Sequence, residues 1–290
     1  MIRKRFFQLS AVILFFTVFT SCEIVNPDED IPSYIHIDSI DLVINDPVEG
    51  SASHKITDAW VYVDDNLIGT YELPVTLPIL ESGKHTVKIR AGIKLNGITA
   101  SRVFYPFYTF YSEVVDLEKA KVDTLKPYVN YFEGTTFAWK EDFEDSGIKI
   151  EPLSTSDTSI TLVQDPEHVF EGNASGAIFL DEQKKLFKGS SLAASLLSLP
   201  KAGIPVFLEM NYKNNQEFAV GIIAVYPTYF AEITVIVLNP SETWNKVYIN
   251  LTNDVSEEVG AVGYQLYLAA GKDSTVSSPA IYLDNLKIIY

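Results

Sequence analysis

The chain has 290 residues, and its 38 Asp and Glu outnumber its 22 Lys and Arg, which gives a net charge of −16. This balance disfavours nucleic acid and anionic lipid headgroups as direct partners, because both are held by clustered Lys and Arg. Tyr, Phe, Val, Ile and Thr are plentiful and no long helical periodicity occurs, so the sequence predicts an all-β fold.

The first predicted element is a signal peptide, residues 1–21. Positive residues 3–5 precede an apolar run at 6–19, which is shorter than the about 20 residues that cross a bilayer. Residues 19–22, Phe-Thr-Ser-Cys, end in the only cysteine and resemble the lipobox of bacterial lipoproteins. The resemblance implies cleavage before Cys22 and an acyl anchor, such as palmitate, on that residue. The alternative is an ordinary secretory signal with an incidental cysteine.

Residues 22–32 predict an acidic, flexible tether, because they bear Pro and show no apolar period. The Asp28-Glu29-Asp30 cluster resembles the export signal of Bacteroidetes lipoproteins. That resemblance implies a lipid-anchored protein on the outer membrane, facing the cell exterior. The alternative is a solvated linker without an export role.

Residues 33–121 predict a first β domain. Turn signals at 64–66, 82–83 and 96–97 separate β-prone runs. The order VYVDDNLIGT, PVTLPIL, ESGKHTVKIRAG within residues 58–92 resembles PEGA-type and related immunoglobulin-like surface modules. The resemblance implies an immunoglobulin-like β-sandwich. The polar segment 122–130, which contains Lys126-Pro127, is interpreted as a linker.

The run at 104–111, Phe-Tyr-Pro-Phe-Tyr-Thr-Phe-Tyr, is the most aromatic stretch of the first domain. Two interpretations remain open. The rings could form an exposed platform for a sugar or a protein partner, or they could fill the first core or the junction with the next domain, since aromatic side chains dominate cores and interfaces.

Residues 131–290 predict a second, larger β domain, because strand patterns recur every ten to fifteen residues with turn signals between them. Val206, Leu208, Met210 and Tyr212 should share one buried face. Five pieces in order resemble the jelly-roll superfamily of carbohydrate-binding modules and galactose-binding-like domains: EDFE from 141, FEGNASGAI from 170, VFLEMNYK from 206, WNKVYINL from 244 and IYLDNLKII from 281. The resemblance implies a jelly-roll β-sandwich. Residues 189–203 are expected to hold one short helical turn.

The same resemblance implies a structural calcium where the first strand, the Gly-Asn-x-Ser loop and the last strand meet. The matching oxygen-bearing residues here are Glu141, Asp142, Glu144, Asn173 and Asp284. The alternative is that hydrogen bonds from loop amides satisfy these carboxylates. Asp284 needs one or the other, because it lies in an otherwise apolar strand.

Glycan binding requires exposed aromatic rings near amides or carboxylates, and the candidates in this domain are Trp139, Tyr226, Tyr229 and Trp244. The Tyr226-Pro-Thr-Tyr229 segment is the strongest of these, because it is typical of a loop or a sheet edge. The alternative for each ring is a place in the core or at its rim.

The sequence offers little for catalysis. The four histidines are isolated, and no metalloprotease, nucleophile-elbow, phosphate-loop or dinucleotide motif occurs. The leading hypothesis is a non-catalytic surface lipoprotein that binds glycan as an accessory protein. A structural or assembly lipoprotein that binds another envelope protein, partly through residues 104–111, is the second hypothesis, and a glycan hydrolase is the third.

Overall fold

The computed structural model describes residues 30–290. The predicted signal peptide, the lipidation site at Cys22 and most of the tether lie outside these residues. Within them the chain is nearly all β, as the sequence predicts, and it forms two β-sandwiches. In this described part, no helix has the length and apolar character needed to cross a membrane.

The first domain is an immunoglobulin-like sandwich of three small sheets. Their orders are β5-β1-β9, β10-β2 and β4-β3-β6-β7, with β8 paired to β6. The sheets enclose an aliphatic core, because alternate residues of β3 and β6 point inward. The strands are β1 Ser33–Ile37, β2 Asp41–Leu42, β3 Asp58–Val63, β4 Asn66–Glu72, β5 Val75–Ile79, β6 Gly83–Lys94, β7 Arg102–Phe104, β8 Phe110–Leu117, β9 Val122–Leu125 and β10 Tyr128–Val129.

The predicted hairpin turn between β3 and β4 is confirmed. Asp64 and Asp65 have φ angles of 48° and 66°, the positive values that a tight hairpin turn requires. Asn96 and Gly97 likewise have φ angles of 55° and 71°.

The interpretation of 122–130 as a linker is wrong. Its two short strands belong to the first domain, because β9 pairs in parallel with β1 and β10 pairs in parallel with β2. Leu125 and Val129 are buried in the first core. The sequence did not reveal these strands, because each is too short to show an alternating pattern. Lys126-Pro127, which lies between them, is also typical of a domain boundary.

The second domain is a jelly roll. A six-stranded sheet, β13-β14-β21-β16-β19 with β11 on β21, packs on a five-stranded sheet, β12-β15-β20-β17-β18. The elements are β11 Phe137–Glu141, β12 Ile150–Pro152, β13 Thr161–Val163, β14 Ser175–Phe179, β15 Leu186–Ser191, β16 Phe207–Asn214, β17 Phe218–Val225, β18 Phe230–Leu238, β19 Ser241–Asn250, α1 Thr252–Glu257, β20 Gly263–Gly271 and β21 Ala280–Ile289.

The alternation predicted for β16 is confirmed, since Val206, Leu208, Met210 and Tyr212 all lie in the second core. A short 3-10 turn at Ala193–Ser195 falls inside the predicted helical region. Strand β15 was not expected, because its Gly and two Ser residues weaken the β pattern.

The aromatic run at 104–111 lies largely at the junction between the domains. Tyr105, Phe107 and Tyr108 are at most 7% exposed, and they share a core cluster with Phe207 and Tyr248 of the second domain. The junction interpretation is therefore confirmed for these three rings. The hypothesis that they bind a separate partner is wrong, because their surface is already covered.

A buried charge cluster lies beneath these rings. The Glu209 carboxylate is 2.9 Å from Lys246 Nζ and 3.7 Å from Lys287 Nζ, and it accepts hydrogen bonds from the hydroxyls of Tyr105 (2.9 Å) and Tyr131 (2.8 Å). Burial opposes the charge on Glu209, but the two lysines outweigh it and hold the pKa of this carboxyl at about 2. The junction thus encloses one buried carboxylate that contacts two lysines and two tyrosines.

Candidate functional site

The stacked tyrosines Tyr226 and Tyr229 form an exposed aromatic site of the second domain. They are the first and last residues of the turn that joins β17 to β18, and the Tyr226 amide donates a hydrogen bond to the Tyr229 carbonyl at 2.8 Å. The two ring centroids are 4.4 Å apart and the rings are nearly parallel, at 10°. The Tyr226 hydroxyl donates to Glu258, and Tyr229 remains 58% exposed. The hairpin therefore presents one tyrosine ring to solvent on a fixed support.

This ring borders a cleft of about 330 Å³ on the outer face of the five-stranded sheet. The lining is mainly apolar, with Leu153, Ile223, Val225, Thr228, Phe230 and Gln265 beside the two tyrosines. We call it the Tyr229 cleft. Ile223 and Gln265 are cross-strand partners in β17 and β20, so the pairing of these strands places an amide next to an apolar floor.

The neighbouring part of this face is polar. Glu232 accepts hydrogen bonds from Lys188 Nζ at 2.6 Å and from the Tyr267 hydroxyl at 2.9 Å. The hydrogen bond from Lys188 lowers the pKa of Glu232 despite partial burial. Gln265 Nε2 donates to the Ser191 carbonyl at 2.5 Å, which holds the amide in one orientation. Sequence reasoning missed these residues, because only the pairing of strands distant in sequence brings them together.

The two tryptophans of the candidate set lie elsewhere. Trp139 is 8% exposed and belongs to the second core, so its prediction as a ligand-binding ring is wrong. Trp244 is half-buried and packs against Phe170, with 5.4 Å between the ring centroids. Neither contributes to the Tyr229 cleft. Of the four candidates, only the two tyrosines share a site.

A larger cleft of about 670 Å³ lies at the edge of the six-stranded sheet. Tyr282 stacks on His168, with centroids 4.4 Å apart, and Phe179 is 42% exposed beside them. Lys213 and Glu167 also line it. Nothing in the local sequence indicates this site, because its residues come from separate strands and loops. The second domain thus has two clefts that combine aromatic and polar side chains.

The residues of the predicted calcium site form a network of hydrogen bonds instead of one ligand shell. Glu141 accepts from the amides of Phe143 and Lys149. Glu144 accepts from the Asn173 amide at 2.7 Å, from the Asn173 side chain at 2.8 Å and from the next amide along the chain. Hydrogen bonds from Asn173 and the following amide lower the pKa of Glu144.

Asp284 is satisfied in the same way. Its carboxylate accepts from the Ser175 hydroxyl at 2.5 Å and from the Asn285 amide at 2.7 Å. Asp142, Glu144 and Asp284 line one open cleft of about 390 Å³. Within residues 30–290, however, no three His, Cys, Asp or Glu side chains are grouped as a metal ion requires. The geometry favours the alternative with loop amides, and calcium binding stays a prediction.

The pH dependence of stability tests this site. Burial raises the pKa of Asp284 from 3.8 to about 6, which outweighs its hydrogen bonds. Between pH 3.8 and about pH 6, Asp284 therefore keeps its proton in the folded state but has lost it in the unfolded state. The stabilisation from Asp284 is complete below pH 3.8 and is lost as the pH rises through about 6. We expect the free energy of unfolding to fall by about 3 kcal/mol between pH 4 and pH 7, relative to Asp284→Asn.

Urea unfolding in a chelator measures this difference, and a repeat in calcium provides the comparison. A bound cation would favour the charged form of Asp284 and so remove the decrease in unfolding free energy between pH 4 and pH 7. Equal slopes in chelator and calcium would contradict calcium binding, and no slope in chelator would contradict the raised pKa.

No protein-family model and no curated protein matches the chain. Among solved structures, a xylan-binding domain of carbohydrate-binding module family 22 matches 52% of this chain and 93% of its own, at 12% identity and a TM-score of 0.38. The N-terminal modules of Clostridium thermocellum endo-1,4-β-D-xylanase 10B, in complex with xylohexaose, match 53% of this chain but only 28% of their own, at 12% identity and a TM-score of 0.39.

The K3 cleaved adhesin domain of Lys-gingipain from Porphyromonas gingivalis w83 matches 54% of this chain and 99% of its own, at 15% identity and a TM-score of 0.36. At these scores the similarity does not define a family for this chain. The functional argument therefore depends on the clefts themselves.

Proposed function

We propose that the protein is a non-catalytic glycan-binding protein and that the second domain carries its binding site in the Tyr229 cleft. The observation that supports this most directly is the exposed Tyr229 ring, fixed by stacking on Tyr226. A fixed ring loses little conformational entropy when it is covered by a ligand. The apolar face of a sugar ring can stack on it.

The rest of the cleft provides what a sugar needs beyond stacking. Ile223 forms an apolar floor, and the Gln265 amide can exchange hydrogen bonds with ring hydroxyls at the edge of that floor. Glu232 adds an acceptor on the same row of the sheet. An apolar platform with a few oriented polar groups is typical of sites that bind small organic ligands without transforming them.

A glycan-array screen of the mature chain carrying Cys22→Ser, which keeps it free of lipid, tests the proposal. We expect saturable binding to at least one oligosaccharide and a loss of at least about tenfold in affinity for Tyr229→Ala, equivalent to about 1.4 kcal/mol. Tyr128→Ala is the matched control, because Tyr128 is also an exposed tyrosine, at 53%, but lies in the first domain.

Three outcomes are informative. Binding that survives Tyr229→Ala but is lost in Phe179→Ala would move the site to the larger cleft that is lined by His168, Phe179 and Tyr282. A folded protein that binds no oligosaccharide would contradict the proposed function. Turnover of any oligosaccharide would contradict the non-catalytic assignment.

We also propose that lipid on Cys22 anchors the protein to the outer membrane with both domains outside the cell. The support is the short apolar run that ends at the only cysteine, followed by an acidic tether. Each buried acyl CH₂ contributes about 0.8 kcal/mol to membrane affinity. Cys22→Ser in the full-length chain should therefore abolish palmitate labelling and shift the protein from the membrane fraction. Membrane retention of Cys22→Ser would contradict the lipid anchor.

A further inference from the structure

The first domain has an open sheet face of unusual composition. Alternate residues of β3 and β6 face outward, which places Trp60 and Tyr62 beside Arg90 and Lys88 in register. Phe110 is the partner of Arg90 on the other side. Aromatic and cationic side chains thus alternate across the middle of the sheet. We call this surface the Arg90 face.

A shallow cleft of about 310 Å³ lies on this face, lined by Tyr62, Asp65, Lys88, Arg90, Phe110 and Phe132. Phe110 is 49% exposed and Phe132 is 38% exposed. This size is within the range of small-ligand sites, and the lining combines three aromatic rings with three charged side chains. The exposed rings have no role in the core.

Arg90 is the distinctive residue of the cleft. Residues 30–290 contain two arginines, and Arg102 is paired with Asp58 and with Glu72. For Arg90, by contrast, the described part of the chain provides neither an ion pair nor a side-chain hydrogen bond. Its guanidinium lies 3.8 Å from the centroid of the Phe104 ring, which holds the planar group in place. Its donors are therefore oriented but unused.

The chemistry of this arrangement suits an anionic ligand. A guanidinium that is fixed by an aromatic ring binds a carboxylate through two parallel hydrogen bonds without further ordering. Acidic residues outnumber basic ones in this chain, 38 to 22, so an unpaired arginine is conspicuous. The Lys88 ammonium is paired with Asp65 at 2.5 Å, so these two charges of the cleft offset each other and Arg90 is left as its unpaired charge.

The pairing of the strands indicates how the ligand is recognised. β3 is hydrogen-bonded on both sides, to β4 and β6, and β6 is hydrogen-bonded on both sides as well. Neither β3 nor β6 therefore has a free edge on which a peptide could pair as an additional strand. Recognition here depends on side chains alone, through flat ring surfaces and one charge.

We propose that the Arg90 face binds a uronic acid residue of an acidic polysaccharide. The sugar ring lies against Phe110 and Phe132, and its carboxylate accepts two hydrogen bonds from Arg90. This site is in the first domain and is independent of the Tyr229 cleft. The protein then contacts a polysaccharide at two places with different preferences, which multiplies the affinity for a chain long enough to reach both.

Isothermal titration of the mature Cys22→Ser chain with tetragalacturonic acid, and with neutral galactotetraose at the same concentration, tests the proposal. We expect the acidic oligosaccharide to bind at least about tenfold more tightly than the neutral one. Arg90→Gln should remove that preference, and Phe110→Ala should weaken both. Lys84→Gln is the matched control, because Lys84 is an exposed cation on the outer side of the same strand.

Tyr229→Ala should leave tetragalacturonate binding unchanged, which separates this site from the proposed site in the second domain. Thermal unfolding confirms that each variant is folded. Equal affinity for the two oligosaccharides, an Arg90→Gln variant that retains the preference, or no binding of tetragalacturonate would each overturn the proposal. A shared loss in Arg90→Gln and Lys84→Gln would indicate a general charge effect and would overturn it too.

Discussion

Replacement of Glu209 by Gln is expected to lower the free energy of unfolding by about 3–5 kcal/mol, the range found when one partner of a buried ion pair is removed. Lys246 and Lys287 are at most 5% exposed, and within residues 30–290 Glu209 is the one carboxylate that forms an ion pair with them. The substitution would therefore leave two buried positive charges without a partner. Burial already lowers the pKa of Lys287 to about 8. Without Glu209 we expect it to fall further.

The pH dependence of the variant provides a second measurement. A lysine whose pKa is lowered by folding binds fewer protons in the folded state, so stability rises with pH. Glu209→Gln should therefore regain part of its lost stability between pH 7 and pH 10. Asp145→Asn, which breaks an exposed ion pair with Lys149, should cost much less, because solvent screens that pair. Equal losses in urea unfolding of the two variants would contradict the importance of the buried cluster.

Tyr105→Ala is expected to cost about 3–5 kcal/mol, as truncation of a fully buried aromatic side chain does. The Tyr105 ring lies 4.6 Å from that of Tyr108, 4.7 Å from that of Tyr248 and 5.4 Å from that of Phe207, measured between centroids. Phe207 and Tyr248 belong to the second domain. They cannot move into the cavity left by Tyr105 unless that domain moves as well. The variant should therefore also weaken the coupling between the domains.

Native-state hydrogen exchange measures both effects. In the wild type, the slowest amides of the two domains should exchange with similar free energies, because the junction is part of the first core. In Tyr105→Ala the first domain should open more readily than the second. Phe110→Ala, which removes a half-exposed ring five residues away in sequence, should cost about 1 kcal/mol or less. A similar loss in both variants would contradict a structural junction at Tyr105.

Much of the fold was predictable because the strands of the second domain carry their own alternation. The inward residues of β16 are an example, since four apolar side chains at every second position leave one orientation for the strand. The β3–β4 turn was predictable from Asp64-Asp65-Asn66 for a similarly local reason. Strands β9 and β10 were not, because their stability comes from pairing with β1 and β2, almost ninety residues earlier.

The candidate sites divide in the same way. Tyr226 and Tyr229 were identifiable because Pro and Thr between them indicate a hairpin end. Gln265, Glu232 and Arg90 were not, because their neighbours lie on strands that are far apart in sequence. The burial of Tyr105 was undecided for a related reason, since an aromatic run has the same composition at a domain junction and on a surface.

The position of β1 has a mechanical consequence. An anchor at Cys22 and a polysaccharide held by the second domain would stretch the first domain between its two ends. Tension would enter at the start of β1 and leave beyond the end of β9, and these strands run parallel through the four register pairs from Tyr34↔Val122 to Ile37↔Leu125. Force in this direction shears the pair along its length, so its hydrogen bonds resist together and do not open one after another. If Cys22 is the anchor, as proposed, the first strand after it is thus placed to withstand pulling.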